Sequence, residues 1–503
     1  MADIEPNDRN ARKILSLIRT KKDNFWSRER EQRPLKLFHE AARRVPAYKD
    51  FLKKNHIDPN KIKNFKDFQQ VPLTSKKDYL RKYPLEKLSW DGHLKKPIIF
   101  TSTSGSTGEP FYFPREHKLD WDYSILLELF LKNSSYQSEG PVLIIVGFGM
   151  GVWIGGLITY QGFEIAGRRS GLPISIITPG INKSEIFHAL RNLSPNFKET
   201  IIVGYPPFIK DIIDEAKEAK VDFRKINLRF LSAAEAYTEK FRDYVVNKGF
   251  IKNTLADVLN VYGTADIGAM AWETPTSIWI RRQLIKRKNV FEKVFPHIVK
   301  TPTLAQYNPF FITFESQNEE VILSGNNTVP LIRYAVGDHG GVYNFSELKN
   351  ILDSNNINIK SKTALSELRG NIYELPFVYV YERKDLSTTL CGLQIYPEII
   401  REALLNPIIS EFLTGKFTMF TKFDKKQNQF LELNLELRKN KKITPAQSKK
   451  AQDVIVLNLR LKISEFRELH NYLKKRALPK LVFWPSEHPL YFRPGVKQKW
   501  VKK

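Results

Sequence analysis

Residues 98–110 read Ile98-Ile99-Phe100-Thr101-Ser102-Thr103-Ser104-Gly105-Ser106-Thr107-Gly108-Glu109-Pro110, an apolar strand candidate running straight into hydroxyls and glycines. Small side-chain donors and unhindered backbone N–H groups are what a loop offers a polyphosphate. It is no Walker A loop, because that pattern requires Gly-Lys-Ser/Thr after four spacer residues. As bare composition the stretch is equally a flexible surface loop. What favours the phosphate reading is its place after a strand in an alternating pattern. Working outward, apolar strand candidates recur at 142–146, 174–177, 200–203, 228–231 and 258–261, and segments such as 185–191, 207–219 and 238–247 suit helices between them. Strands separated by helices predict an α/β fold with a mainly parallel sheet flanked by helices, and ligands on such sheets sit at the carboxyl ends of the strands.

On the amino-terminal side, residues 9–88 form a helical lead-in in which Leu37, Ala41, Ala42 and Val45 keep a helical period and Pro46 interrupts it. On the carboxyl side, a polar stretch from 344 to 371 has few buried-core features. After it the pattern changes to short strands with two longer helices. This divides the chain into a large domain over 1–382, with 1–90 as its lead-in, and a small α+β domain over 383–503. No internal repeat or low-complexity tract interrupts either part.

Composition excludes several classes. One cysteine, Cys391, rules out an internal disulfide framework and any multi-cysteine zinc site, and suits a reducing cytoplasm. The first residues are charged throughout and lack an apolar signal core. The uncharged stretch 140–163 is long enough to span a bilayer, but it holds seven glycines, and it reads as a buried strand, a glycine turn over 147–156 and an apolar helix start. Eighty Lys and Arg against 54 Asp and Glu leave a net charge of +26, without a zinc-finger, RNP or KH pattern to make it a specific nucleic-acid surface. The basic run at 281–288 reads as a solvated face.

The motifs then resemble, in order, those of the adenylate-forming superfamily, in its phenylacetate-CoA ligase and CapK-like branch. Residues 101–110 are similar to its phosphate-binding signature, and 37–83 to the branch's helical segment with its "VP-Y" and "P-l-t-K" landmarks. Ser232-Ala233-Ala234-Glu235 is similar to the "GAE" adenine segment, Val261-Tyr262-Gly263-Thr264-Ala265-Asp266 to "YG-x-T/S-E", and Arg333-Tyr334-Ala335-Val336-Gly337-Asp338 to "RYRTGD". Glu382-Arg383-Lys384-Asp385 is similar to the hinge "GRKD", and residues 392–399 to the "G-x-x-i-y/f-P" element that follows it.

The resemblance implies a small carboxyl-terminal domain that rotates about the hinge. It also implies ATP-dependent activation of a carboxylic acid to an acyl-adenylate, then transfer to a thiol, with coenzyme A as acceptor. Thr103, Ser104, Gly105, Ser106, Thr107 and Gly108 would hold phosphates, and Ala234, Glu235, Tyr262, Gly263 and Thr264 would meet the nucleotide, Thr264 also serving catalysis. Asp338 would accept from the ribose hydroxyls, Arg383 would bind ribose or phosphate and also serve catalysis, and Asp266 would hold Mg2+. Lys497, with Lys499 as the alternative, would be the adenylation lysine in an aromatic tail that includes Phe483, Trp484, Tyr491, Phe492 and Trp500. The expected partners are a small carboxylic acid, ATP, coenzyme A or an acidic carrier protein, and a second copy in a homodimer. Glu109, Glu382 and Ala233 depart from the family pattern. An acceptor other than coenzyme A, or a catalytically degenerate nucleotide-binding protein, is the alternative reading. The stretches 147–156 and 269–272 are candidate walls of an acyl pocket.

Overall fold

The computed structural model describes residues 4–94, 98–102, 111–137, 140–152, 154–296, 298, 301–383, 388–489 and 491–492. Two compact units emerge, one of 1–101, 113–204 and 209–384, the other of 102–112, 205–208 and 385–503.

Among the described residues, strands β1 (Ile99–Ser102) and β2 (Tyr112–Arg115) pair only with each other, so the first strand candidate lies in a two-stranded ribbon rather than in the large sheet. The large sheet takes β3 (Val142–Gly147), β4 (Ile174–Ile177), β5 (Glu199–Gly204), β6 (Leu228–Ala233), β7 (Val258–Thr264), β8 (Gly268–Trp272), β9 (Thr303–Gln306), β10 (Ile312–Gln317), β11 (Glu320–Gly325), β12 (Leu331–Tyr343) and β13 (Phe377–Arg383). Its spatial order is β10-β11-β12-β13-β9-β8-β7-β6-β5-β3-β4. From β4 to β7 every pairing is parallel, and from β7 onward every pairing is antiparallel. The parallel block is the part that apolar runs announce: β3 and β5 are buried along their whole length, as strands covered on both faces must be. The antiparallel half carries more polar residues and is legible only in register.

Two sequence expectations change. The polar stretch 344–371 contributes the helices Phe345–Asp353 and Lys362–Leu368, and Phe345, Leu348, Leu352, Ile357, Ile359, Ala364 and Leu368 enter a shared core with Trp279 and Phe377. Its apolar residues are few, but helical spacing gathers them on one face. The basic run 281–288 is not simply a solvated face. The capping box of Thr274 and Ser277, with Pro275 at the first turn, starts helix Pro275–Ile285 and turns Arg281 inward, where it is 1% exposed. No helix among the described residues is long and apolar enough to cross a membrane, and 140–163 is β3, a turn and the start of helix Ile154–Ser170.

In the second unit, β14 (Thr388–Leu390) and β15 (Leu393–Ile395) form a hairpin. Beside it, β16 (Leu413–Phe423), β17 (Gln429–Leu437) and β18 (Lys480–Trp484) form a mixed sheet in the order β16-β17-β18. Helices Pro397–Leu404 and Pro445–Lys462 cover it, with Ile400, Phe417, Leu433, Ile455 and Phe466 in one core. The aromatic tail is packed as far as it is described: Trp484 stacks on Tyr491 at 4.7 Å, and Phe492 is 3% exposed.

Candidate active site

The carboxyl end of β7 gathers residues from four distant parts of the first unit. β7 turns through Ala265, Asp266 and Ile267 into the antiparallel β8, so Asp266 sits in a hairpin turn and caps no helix. The turn is tight at Gly263, where a Cβ would lie 2.6 Å from the Gly268 carbonyl oxygen; glycine is required by that approach. Thr264 Oγ1 accepts from the Asp266 amide at 3.2 Å. Tyr262 lays its ring against Phe314 of β10, with centroids 6.2 Å apart, and its hydroxyl donates to Asp338 Oδ2 at 2.6 Å. Asp338, 7% exposed on β12, faces Arg383 of β13 in register, which brings the Arg383 backbone beside it. The bond from Tyr262 fixes the orientation of the Asp338 carboxylate.

The adenine-like segment leaves the end of the neighbouring strand β6. Ala234 has φ +73°, a left-handed conformation costing a non-glycine residue about 1–2 kcal/mol. Its neighbour is held from below: Asn260 Nδ2 donates to the Glu235 carbonyl at 2.9 Å, and Asn260 N donates to Glu273 Oε2 at 2.9 Å. Glu273 is fully buried between Arg242 at 2.7 Å and Arg281 at 2.8 Å, and Glu239 pairs with both arginines. Burial works against the Arg242 charge, but Glu239 and Glu273 outweigh it and hold its pKa well above the ordinary arginine value.

Asp266 is 7% exposed and both its oxygens have partners. Lys76 Nζ lies 2.9 Å from Oδ1, and the Tyr334 hydroxyl donates to Oδ2 at 2.5 Å. Among the described residues no group of three His, Cys, Asp or Glu side chains stands close enough to hold an ion. With an ammonium on one oxygen and a hydroxyl on the other, Asp266 does not fit a protein-held Mg2+ site.

Of the residues singled out from sequence, Tyr262, Gly263, Thr264, Asp266 and Asp338 meet at one place, and the Glu235 carbonyl, next to Ala234, is tied to β7 by Asn260. Thr103, Ser104, Gly105, Ser106, Thr107, Gly108, Lys497 and Lys499 lie outside the described residues, as does the side chain of Arg383. Sequence reasoning missed Lys76, Tyr334 and Asn260. Lys76 and Tyr334 had a signal, Lys76 in the "P-l-t-K" landmark and Tyr334 in the segment similar to "RYRTGD", but neither residue was assigned a role.

No protein-family model matches the chain. A phenylacetate-coenzyme A ligase of Thermus thermophilus is 22% identical over 239 residues, so the match spans 47% of this chain and about half, 49%, of that relative. A solved 2-hydroxyisobutyryl-CoA ligase in complex with 2-HIB-AMP and CoA, in its thioesterification state, superposes with a TM-score of 0.62 at 15% identity, covering 96% of this chain and 90% of that one. The same ligase in the postadenylation state with 2-HIB-AMP gives 0.51 at 14% identity, covering 100% and 91%. The chain has the fold of the adenylate-forming enzymes and resembles the phenylacetate-CoA ligase branch in sequence.

Proposed function

We propose that the protein is an AMP-forming acid–thiol ligase: it activates a carboxylic acid with ATP and passes the acyl group to a thiol, for which coenzyme A is the favoured acceptor. The observation that carries this reading is the Tyr262–Asp338 hydrogen bond at the carboxyl end of β7, beside the Thr264–Asp266 turn. Residues 76 positions apart meet where an α/β sheet binds its ligand, in the chemistry a ribose needs.

In the first half-reaction a carboxylate oxygen of the acid attacks the α-phosphorus of ATP and pyrophosphate leaves. In the second, the thiol loses its proton, its sulfur attacks the acyl carbon, and AMP leaves. The first step needs little proton transfer, so positioning and charge neutralisation at the phosphates supply the acceleration. Asp338, oriented by Tyr262, would hold the ribose, and the 103–108 loop would cradle the phosphates. Lys497 would meet the charge that develops in adenylation, with Arg383 at ribose or phosphate. For the acyl group, the stretches 147–156 and 269–272 would be walls; next to the second, Gly268 packs closely, a Cβ there meeting Ile158 of helix Ile154–Ser170 at 3.0 Å and Leu119 of helix His117–Lys132 at 3.2 Å.

The test is exchange of labelled pyrophosphate into ATP across aryl, short aliphatic, fatty and amino acids, followed by AMP release with and without coenzyme A. Exchange with one acid class and coenzyme A-dependent AMP release is the expected result. Bound ATP without exchange for any acid would leave a nucleotide-binding protein instead of a ligase.

A further inference from the structure

Lys76 reaches Asp266 because the end of the lead-in is laid onto β12 in a fixed register. The Thr74 amide donates to the Arg333 carbonyl at 3.0 Å, the Ala335 amide donates to the Thr74 carbonyl at 2.9 Å, and Thr74 Oγ1 donates to the Ile332 carbonyl at 2.8 Å. The buried Arg333 guanidinium donates to the Val71 carbonyl and pairs with Glu315 at 3.2 Å, securing the segment a second time. Two residues beyond Thr74, the Lys76 ammonium lies 2.9 Å from Asp266 Oδ1 and 5.6 Å from the Phe113 ring centroid. Phe113 stands on β2, the strand that follows the hydroxyl–glycine loop. The ammonium therefore sits between the β7–β8 turn and the strand leaving that loop.

The Lys76 side chain is 31% exposed, whereas that of Asp266 is 8% exposed. The open member of the pair is the cation. An ammonium carries three donors, of which Asp266 takes one. Asp266 is itself oriented by the Tyr334 hydroxyl and by its own amide on Thr264. This is the arrangement of an anchor holding a lysine in place, and it is the reverse of a carboxylate presented to a metal ion.

We propose that Asp266 serves as the anchor of Lys76 and not as a metal ligand, and that the Lys76 ammonium binds the polyphosphate of ATP, supplying from the protein the fixed positive charge that Mg2+ on Asp266 would otherwise supply. The inference rests on the nucleotide reading above. A charge held in place before the substrate arrives costs no rearrangement during the reaction. It acts on the β- and γ-phosphates, so it distinguishes ATP from AMP.

The experiment is calorimetric binding of ATP and of AMP to the full chain, in EDTA and in Mg2+, for wild type, Lys76→Met, Asp266→Asn and the double variant. The double variant removes both charges and leaves no unpaired buried carboxylate, so a folding defect in Lys76→Met is separated from a binding defect. In wild type, ATP affinity in EDTA should stay within about threefold of that in Mg2+, and Lys76→Met and the double variant should each lose about tenfold or more for ATP in both media. AMP affinity should hold in every variant. ATP binding by Lys76→Met equal to wild type, or a Mg2+-dependent gain abolished by Asp266→Asn alone, would overturn the proposal and return Asp266 to the metal. A wild-type protein that binds neither nucleotide would remove the nucleotide reading itself, and this inference with it.

Discussion

Strand β7 carries a charged cluster on either side of its midpoint, and the two are built on opposite plans. Toward its start, Arg242, Glu273, Arg281 and Glu239 are each under 10% exposed and pair with one another, with the Val258 and Tyr237 carbonyls as further acceptors and the partly exposed Arg282 at the edge on Glu239. Toward its end, Tyr262 and Asp338, and Lys76 and Asp266, pair across segments that meet only in the fold, and Tyr262 and Lys76 remain partly open. The first cluster is almost wholly buried and has stability to lose. The second has two partly exposed members, Tyr262 and Lys76, and on the ligase reading it has binding to lose. Both clusters have one partly open cation, so on the proposed reading what sets the second apart is its place at the carboxyl end of a parallel strand, where α/β sheets bind their ligands.

The comparison breaks most sharply at Glu273. Replacing it with alanine leaves two buried guanidinium groups short of a partner and removes the acceptor for the Asn260 amide, so stability should fall by about 3–5 kcal/mol, read from denaturant unfolding. A loss under about 1 kcal/mol would mean the buried cluster contributes little. If Asp338 holds the ribose as proposed, Asp338→Ala should do the opposite, costing about ten- to a hundredfold in nucleotide affinity by calorimetry while reducing stability far less than Glu273→Ala.

Acid should separate the clusters as well. Burial raises the Glu239 carboxyl, but Arg242, Arg281 and Arg282 outweigh it and hold it below its ordinary value of 4.5. A depressed carboxylate stabilises the fold above its unfolded-state pKa, and that contribution disappears as pH falls through the folded value. Unfolding midpoints should therefore drop as pH falls below 4.5, and the drop should be shallower in Glu239→Gln. An unchanged slope would move the acid lability elsewhere. The smallest effect belongs to Ala234→Gly. Relief of the left-handed strain, less glycine's greater freedom in the unfolded chain, should raise stability by about 0.5–1 kcal/mol. If Ala234→Gly destabilises instead, the strain is not what the backbone angle indicates.

The difference between the clusters also explains what could be read in advance. Apolar runs such as 142–146 and 200–203 announce parallel strands directly, because a strand covered on both faces has no polar alternation. The antiparallel half escaped, because strands such as β12 carry glycine, arginine and aspartate that look like loop residues in one dimension. Residues 344–371 misled for a related reason: Phe345, Leu348 and Leu352 are a minority of their segment, and only a helix brings them to one side. Arg281 could not be told from its exposed basic neighbours, since its partners Glu273 and Glu239 lie elsewhere in the chain.

By itself, then, the order of residues determined the strand–helix alternation, the hydroxyl–glycine loop after the first strand candidate, and the candidates Tyr262, Thr264, Asp266 and Asp338, since each rests on local pattern or on ordered motifs. The fold alone decided which polar groups face each other. Tyr262 meets Asp338 because β7 and β12 stand in one sheet, and Lys76 meets Asp266 because the lead-in is clamped to β12 through Thr74. Ion pairs are set by distance in space, and residues 190 positions apart acquire one only when packing brings their segments together.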